Sequence, residues 1–277
     1  MASFVSVSTA AYDGYGFDVI LPSLARCGVQ NVEFAFIDGY VEAFTDSDFT
    51  EAFANELRSE MQRHGQQCRY FSGHIDLGID NATTRLEARC RFAASLGASF
   101  VITNAATRER SSTFFQQADT LAAIARNYGI RILLENPGNR VPNLLDHAGD
   151  VLGLLEQLDT QAFGLNYDIG NLLAHCPDRE PLADARAAIP LADHVHLKPC
   201  VRKGDRIDFV SLGEGDIDDT TLAAELFRQD KPFSLELPFR LHRDANAQPW
   251  RDDQPLPLDL IEMRIARSLE ELLASLN

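Results

Sequence analysis

The chain is expected to fold as an α/β protein, a single closed (β/α)8 TIM barrel domain covering residues 1–277. Three observations lead there. Eight short apolar segments start at residues 4, 31, 67, 99, 131, 163, 193 and 232, which lie 27 to 39 residues apart, the length of one βα unit. Amphipathic helical stretches fill the gaps, and Gly28, Gly65, Gly97 and Gly129 each stand just before the next strand, where a left-handed cap stops a helix. No Gly-x-Gly-x-x-Gly follows the first strand and no composition shift marks a second domain, so a doubly wound open sheet is the weaker alternative.

In order, FVSVST (4–9) is the first strand, and the helix after it closes at Gly28. NVEFAFI (31–37) is the second strand, followed by the helical pattern DFTEAFANELRSEMQRHG (48–65). QCRYFSG (67–73) leads to TTRLEARCRFAASLG (83–97), and SFVITNA (99–105) leads to STFFQQADTLAAIARNYG (112–129). RILLEN (131–136) leads to NLLDHAGDVLGLLEQL (143–158). FGLNYDI (163–169), DHVHLKP (193–199) and PFSLELP (232–238) complete the staves, and LPLDLIEMRIARSLEELLASLN (256–277) is the last of eight expected helices. The apolar, β-branched and aromatic content of the short segments suits strands. The Pro- and Asp-rich stretch 242–257 reads as a loop over the barrel mouth, either a lid or a passive surface loop.

A formal charge of −16 argues against nucleic acid as a partner, because affinity for that backbone comes from Lys and Arg. No apolar run approaches the ~18 residues a membrane helix needs. The five cysteines are scattered without a CxxC pair, and the N-terminus lacks a charged region followed by an apolar one. A reduced, cytoplasmic protein without a signal peptide is the simplest expectation.

Four side chains carry the functional argument: Glu135 in RILLENP, Asp168 in GLNYDIGN, His196 in DHVHLKP and Glu236 in FSLELPF. They fall late in four successive expected strands, and barrel chemistry sits at the C-terminal face. Three carboxylates clustered without a cation would repel one another and lose solvation. One divalent ion resolves that cost. Oxygen-rich ligation with a single imidazole suits Mn²⁺ first, with Mg²⁺ or Co²⁺ as alternatives, and Zn²⁺ accepts the same donors. His194 competes with His196, since residues two apart share a side of a strand; the position nearer the mouth favours His196. His74, Asn104, Lys198, Arg202 and Arg240 are candidate substrate-binding residues on the same face, the arginines as receivers of an anionic group. Lys198 reads equally well as a partner for a carboxylate. Glu33 in NVEFAF is left open between the barrel interior and the helices.

At the segments ILLEN, NYDIGN, HVHLK, GEGDID (213–218) and SLELP the chain resembles the xylose isomerase-like barrel superfamily of sugar isomerases and epimerases, which also contains endonuclease IV. The likeness covers essentially the whole chain. It implies that Glu135, Asp168, His196 and Glu236 are single-metal ligands, and that Asp216 and Asp218 are structural. It further implies Glu135 and Glu236 as the catalytic pair, one removing a proton beside a carbonyl and the other returning it, through a metal-stabilised enediolate. The implied activity is isomerisation or epimerisation of a small sugar, ketose or sugar derivative, with an inosose dehydratase-type lyase as the alternative. Barrels of this kind often pair through their helices, so a homo-oligomer is an expectation. Asn104 and Asn171 stand where a three-metal phosphodiesterase would need further ligands, which makes an endonuclease the least favoured reading. Asn171 also replaces a histidine with which some ketose epimerases bind substrate, and His175 is the nearby candidate for that role.

Overall fold

The computed structural model describes residues 5–41 and 43–276. Phe4, where the first expected strand starts, and Asn277, where the last expected helix ends, lie outside the described residues. Eight parallel strands close a barrel: β1 (Val5–Ser8), β2 (Val32–Ala35), β3 (Tyr70–Asp76), β4 (Phe100–Asn104), β5 (Arg131–Glu135), β6 (Phe163–Asp168), β7 (His194–Leu197) and, after two strands described below, β10 (Phe233–Leu235). They follow one another around the barrel, and β1 pairs with both β2 and β10. The outer layer comprises α1 (Phe17–Arg26), α2 (Glu51–Arg63), α3 (Ala82–Leu96), α4 (Ser111–Asn127), α5 (Ala148–Leu155), α6 (Ile169–His175), α7 (Pro181–Ala188), α8 (Asp219–Arg228) and α9 (Leu258–Ser275). All four cap glycines take positive φ, between 65° and 99°.

The third strand runs from Tyr70 to Asp76 rather than over 67–73, and three larger departures from the sequence expectation follow. The fifth helix starts at Ala148 rather than near residue 143, because His147 and Asp150 form a reciprocal cap at that point. The sixth unit holds two helices, so there are nine among the described residues: the Asp168 carboxylate ends β6 and at once accepts the Asn171 N–H, starting α6. Residues 242–257 are not a simple loop. β11 (Leu241–Arg243) and β12 (Pro249–Arg251) form a hairpin that joins β8 (Cys200–Lys203) and β9 (Arg206–Phe209) in a four-stranded antiparallel sheet.

The barrel interior changes character from bottom to mouth. At the bottom Tyr70, Ile102 and Leu133 form a small apolar cluster, with the Tyr70 ring stacked on Phe100 at 4.9 Å and on His194 at 3.9 Å. Above it the interior is polar. Glu33, buried on β2, accepts from Ser72 at 2.8 Å and from Ser234 at 2.5 Å. Such interiors are ordinarily filled by branched apolar residues, so this polar layer marks where packing gives way to chemistry. Register fixes the depth of the mouth residues: Asp168 lies opposite His196, which in turn lies opposite Ser234.

Candidate metal centre and the cavity above it

Glu135, Asp168, His196 and Glu236 each offer one ligand atom to a group in which all such atoms lie within 4.8 Å of one another, and all four residues are buried. Glu135 and Asp168 are the last residues of β5 and β6, His196 stands in β7, and Glu236 directly follows β10. The strands therefore deliver the side chains at one height.

The hydrogen bonds around His196 fix which nitrogen faces the acids. Its Nε2 lies 3.1 Å from a Glu33 carboxylate oxygen, so Nε2–H donates there and Nδ1 is turned toward the acids. Nδ1 sits 2.6 Å from Glu135 Oε1 and 3.3 Å from Glu236 Oε2, and the Lys198 ammonium reaches that same Glu236 oxygen at 2.8 Å. Three carboxylates and an imidazole thus crowd one buried space, where a divalent cation would offset the repulsion among the acids. The donor set of three carboxylates and one imidazole fits such an ion.

Glu33, His194 and His196 also lie close together, but they are occupied with one another's neighbours. His194 Nδ1 meets Asn166 Oδ1 at 2.8 Å and its Nε2 meets Ser234 Oγ at 3.1 Å. Asn166 donates to Glu135 Oε1 at 2.6 Å. Glu33, Ser234, His194, Asn166, Glu135 and His196 therefore lie around one ring of close polar contacts beneath the mouth. Burial, with the His196 and Arg69 charges, pushes His194 well below the ordinary imidazole range, which suits this neutral role.

Charges at the mouth are strongly skewed. Burial pushes the Asp168 carboxyl up to about 7, with Glu135 and Glu236 adding to the rise against the opposing Lys198 ammonium. Burial alone would raise Glu135 and Glu236 as well, but their cationic neighbours outweigh it. His74 and His196 hold Glu135 well below the usual carboxylate range. Lys198 and His196 hold Glu236 at about 2. His196 itself is drawn well upward against its burial by Glu33, Glu135 and Glu236.

Above the acids opens a cavity of about 420 Å³. Of the expected substrate-binding residues it is lined by His74, Asn104 and Lys198. His74 Nε2 lies 2.6 Å from Glu135 Oε2. Lys198 Nζ lies 2.8 Å from Glu236, 3.2 Å from Asp168 and 3.3 Å from Asn171 Oδ1, so it pairs with carboxylates as well as facing the cavity. Arg202 and Arg240 are not among the lining residues. Arg202 is exposed on β8, with its backbone N–H bonded to Asp216. Arg240 clamps the chain behind the hairpin, donating to the carbonyls of Asp252 and Asp253 and pairing with Asp13. His175 is held away by Asp146 at 2.7 Å. Asp216 and Asp218 play the structural parts expected of them, Asp218 as the cap of α8.

Sequence reasoning missed Arg243, Tyr40, Gly138 and Gln248, which all line the cavity. Alternation in Leu241-His242-Arg243 could have signalled a strand, yet nothing local marks Arg243 as facing inward.

A family model for the xylose isomerase-like TIM barrel matches residues 21–255. No curated protein matches the sequence. Among solved structures the chain is similar to D-psicose 3-epimerase from Clostridium cellulolyticum H10, with 14% identity over 99% of both chains and a TM-score of 0.74. It is also similar to an L-ribulose 3-epimerase, at 14% identity over 98% of this chain and 94% of that one, with a TM-score of 0.71. A probable 3-DHS dehydratase from Bacillus anthracis matches at 16% identity over 97% and 98%, with a TM-score of 0.69. At such identities these likenesses show a shared fold. The family model, matched across most of the chain, goes further: this protein belongs to the xylose isomerase-like TIM barrel family.

Proposed function

We propose that this chain is a divalent-metal-dependent isomerase or epimerase of a small sugar, ketose or sugar derivative. The observation that carries the reading is the buried convergence of Glu135, Asp168, His196 and Glu236, whose ligand atoms all lie within 4.8 Å of one another. These four residues would hold the ion, with Mn²⁺ favoured by the donor set. When bound, a divalent cation supplies Lewis acidity that makes a carbon next to a carbonyl easier to deprotonate.

The chain's own residues do the rest. Glu135 and Glu236 are both ionised, since their cationic neighbours hold them down, so each can accept a proton at a carboxylate oxygen. They reach the centre from β5 and from the end of β10, with β6 and β7 between, and so flank whatever lies there. One takes the proton and the other returns it to the opposite face, which inverts the carbon; return to the neighbouring carbon interconverts aldose and ketose. His74 orients Glu135 through its 2.6 Å contact, and Asn104 and Asn171 offer amides to sugar hydroxyls at the cavity wall. One observation favours a dehydratase as second reading: the Lys198 ammonium lines the cavity beside Glu236, placed to hydrogen-bond a departing hydroxyl.

The test is metal analysis of the purified protein, followed by incubation of the Mn²⁺-loaded chain with a panel of ketoses in D₂O. Deuterium entering the carbon beside the carbonyl supports the reading, and its loss in Glu135→Gln and Glu236→Gln variants that still bind Mn²⁺ assigns the pair. Enone absorbance without exchanged starting sugar would select the dehydratase. A metal-loaded protein that exchanges no proton in any sugar would overturn enolisation altogether.

A further inference from the structure

We infer that the substrate carries a carboxylate and that Arg243 receives it, a specificity that rests on the sugar-converting reading of this cavity. Arg243 ends β11 on the hairpin over the mouth, is fully buried, and lines the cavity. One guanidinium nitrogen, Nη1, donates to the Ala247 carbonyl at 2.8 Å. The other two, Nε and Nη2, have no hydrogen-bond partner, and the group lies 5.1 Å from the Tyr40 ring centre. The other cationic lysine and arginine side chains at the cavity wall are matched by acids: Lys198 by Asp168 and Glu236, and Arg85 by Asp46. Among the described residues lining the cavity, Arg243 is the one Lys or Arg without a carboxylate.

That imbalance is unexpected in a chain with 41 acidic against 25 basic residues. A buried charge without a counter-ion is among the costliest features a fold can carry, and an anion that arrives with the substrate offsets it. Burial pushes the guanidinium down to about 10, which leaves it charged at neutral pH. The geometry of the free edge selects the anion. The Nε and Nη2 hydrogens project along the same side of the planar group, forming the two-pronged edge that matches the two oxygens of a carboxylate. A phosphate dianion would call for a second unpaired cation, and none lines this cavity among the described residues.

Gly138 lies against that edge, between it and the side chains that lead to the acids. A Cβ added at Gly138 would fall 2.6 Å from Arg243 Nη2 and 2.6 Å from Asn171 Oδ1, so glycine keeps open the gap between the two side chains. Asn171 Oδ1 then meets Lys198, which meets Asp168 and Glu236. A ligand with its carboxylate on Arg243 would run past Asn171 and Lys198 with its carbonyl end toward the acid cluster. A sugar acid fits that path, and a neutral sugar leaves Arg243 uncompensated.

The experiment measures calorimetric affinities of the Mn²⁺-loaded chain for two matched sets: fructuronate, fructose and fructose 6-phosphate, and tagaturonate, tagatose and tagatose 6-phosphate. The expected result is a keto-uronate at least about tenfold tighter than its parent ketose and its phosphate, the size of a charge-assisted pair. In Arg243→Met that ratio falls to within about twofold, and Arg243→Lys, which keeps charge but not the edge, recovers only part of it. Gly138→Ala, which narrows the gap while leaving the guanidinium intact, is the second variant should Arg243→Met unfold, and it too is expected to lose the preference. Equal binding of ketose and keto-uronate by the unaltered chain in both sets, tighter binding of a phosphate, or a preference that survives Arg243→Met would overturn the assignment. Deuterium exchange on the same ligands separates the two readings. A keto-uronate held through Arg243 without exchange sinks enolisation alone, and exchange in neutral ketoses without preference sinks the carboxylate alone.

Discussion

Replacing Glu33 by glutamine tests how the buried ring of contacts prepares His196. The Glu33 carboxylate is fully buried and accepts from Ser72 on one oxygen and from Ser234 and His196 around the other. The bond to His196 holds a proton on Nε2 and turns Nδ1 toward Glu135 and Glu236, the side on which a cation would be bound. Glutamine has the same shape but no charge, and its amide half presents donors where a donor already stands. The imidazole then loses a charge-assisted bond worth about 1.5–3 kcal/mol and the tautomer bias that goes with it. Partners of this kind typically carry 10–100-fold of metal affinity, so Glu33→Gln is expected to weaken Mn²⁺ binding by about that factor with unchanged stoichiometry. The free-ion electron paramagnetic resonance signal reads this directly during titration. Ser72→Ala is the control: it removes the bond to the far oxygen and leaves the His196 contact, and is expected to shift affinity by less than about threefold. A Glu33→Gln protein that folds as the parent does and binds Mn²⁺ equally well would refute the role given to this carboxylate.

Two further outcomes test the fold and its electrostatics. Asp219, at the start of α8, is fully buried with neither carboxylate oxygen bonded, and burial, with Asp218 and Asp168 nearby, pushes it up to about 8. An acid raised in the folded state binds its proton more tightly there than when unfolded, so stability falls as pH climbs from the ordinary carboxylate value to about 8. Asp219→Asn removes that slope: in urea unfolding it should match the parent near pH 4 and exceed it at pH 9 by about 2–5 kcal/mol, and equal stabilities at pH 9 would contradict this. Phe71 is fully buried among Phe36, Phe49 and Phe92, with ring centres 5.4–6.0 Å away, so Phe71→Ala is expected to cost about 3–5 kcal/mol of stability by denaturant titration.

The parts that sequence made legible are those set by local rules. Even spacing and cap glycines announce the barrel, because each βα unit must end its helix before the next strand. Glu135, Asp168, His196 and Glu236 stood out because acids and an imidazole at the ends of apolar segments need a reason to be there. The features that stayed hidden depend on contacts between distant segments. Glu33 sits in an alternating strand whose register sequence alone leaves open, and only the closure of β1 against β2 and β10 places it under His196. The hairpin at 241–251 is masked by its Pro and Asp content, since its strands are short and pair with β9 rather than with the barrel. Arg240 and Arg243 are three residues apart in the same stretch, yet one clamps a loop and the other faces the cavity. That difference follows from Asp13, Tyr40 and Gly138, which are far away in the chain. Asp168 shows a different limit: sequence gave it one task, while the fold also has it start a helix.

The most direct measurement is a Mn²⁺ titration of the metal-stripped chain alongside Asp168→Asn and His196→Ala. One ion bound per chain, with affinity falling at least about a hundredfold in either variant, is what convergence of these side chains on a single cation requires. Binding that survives both substitutions, or several ions per chain, would contradict it.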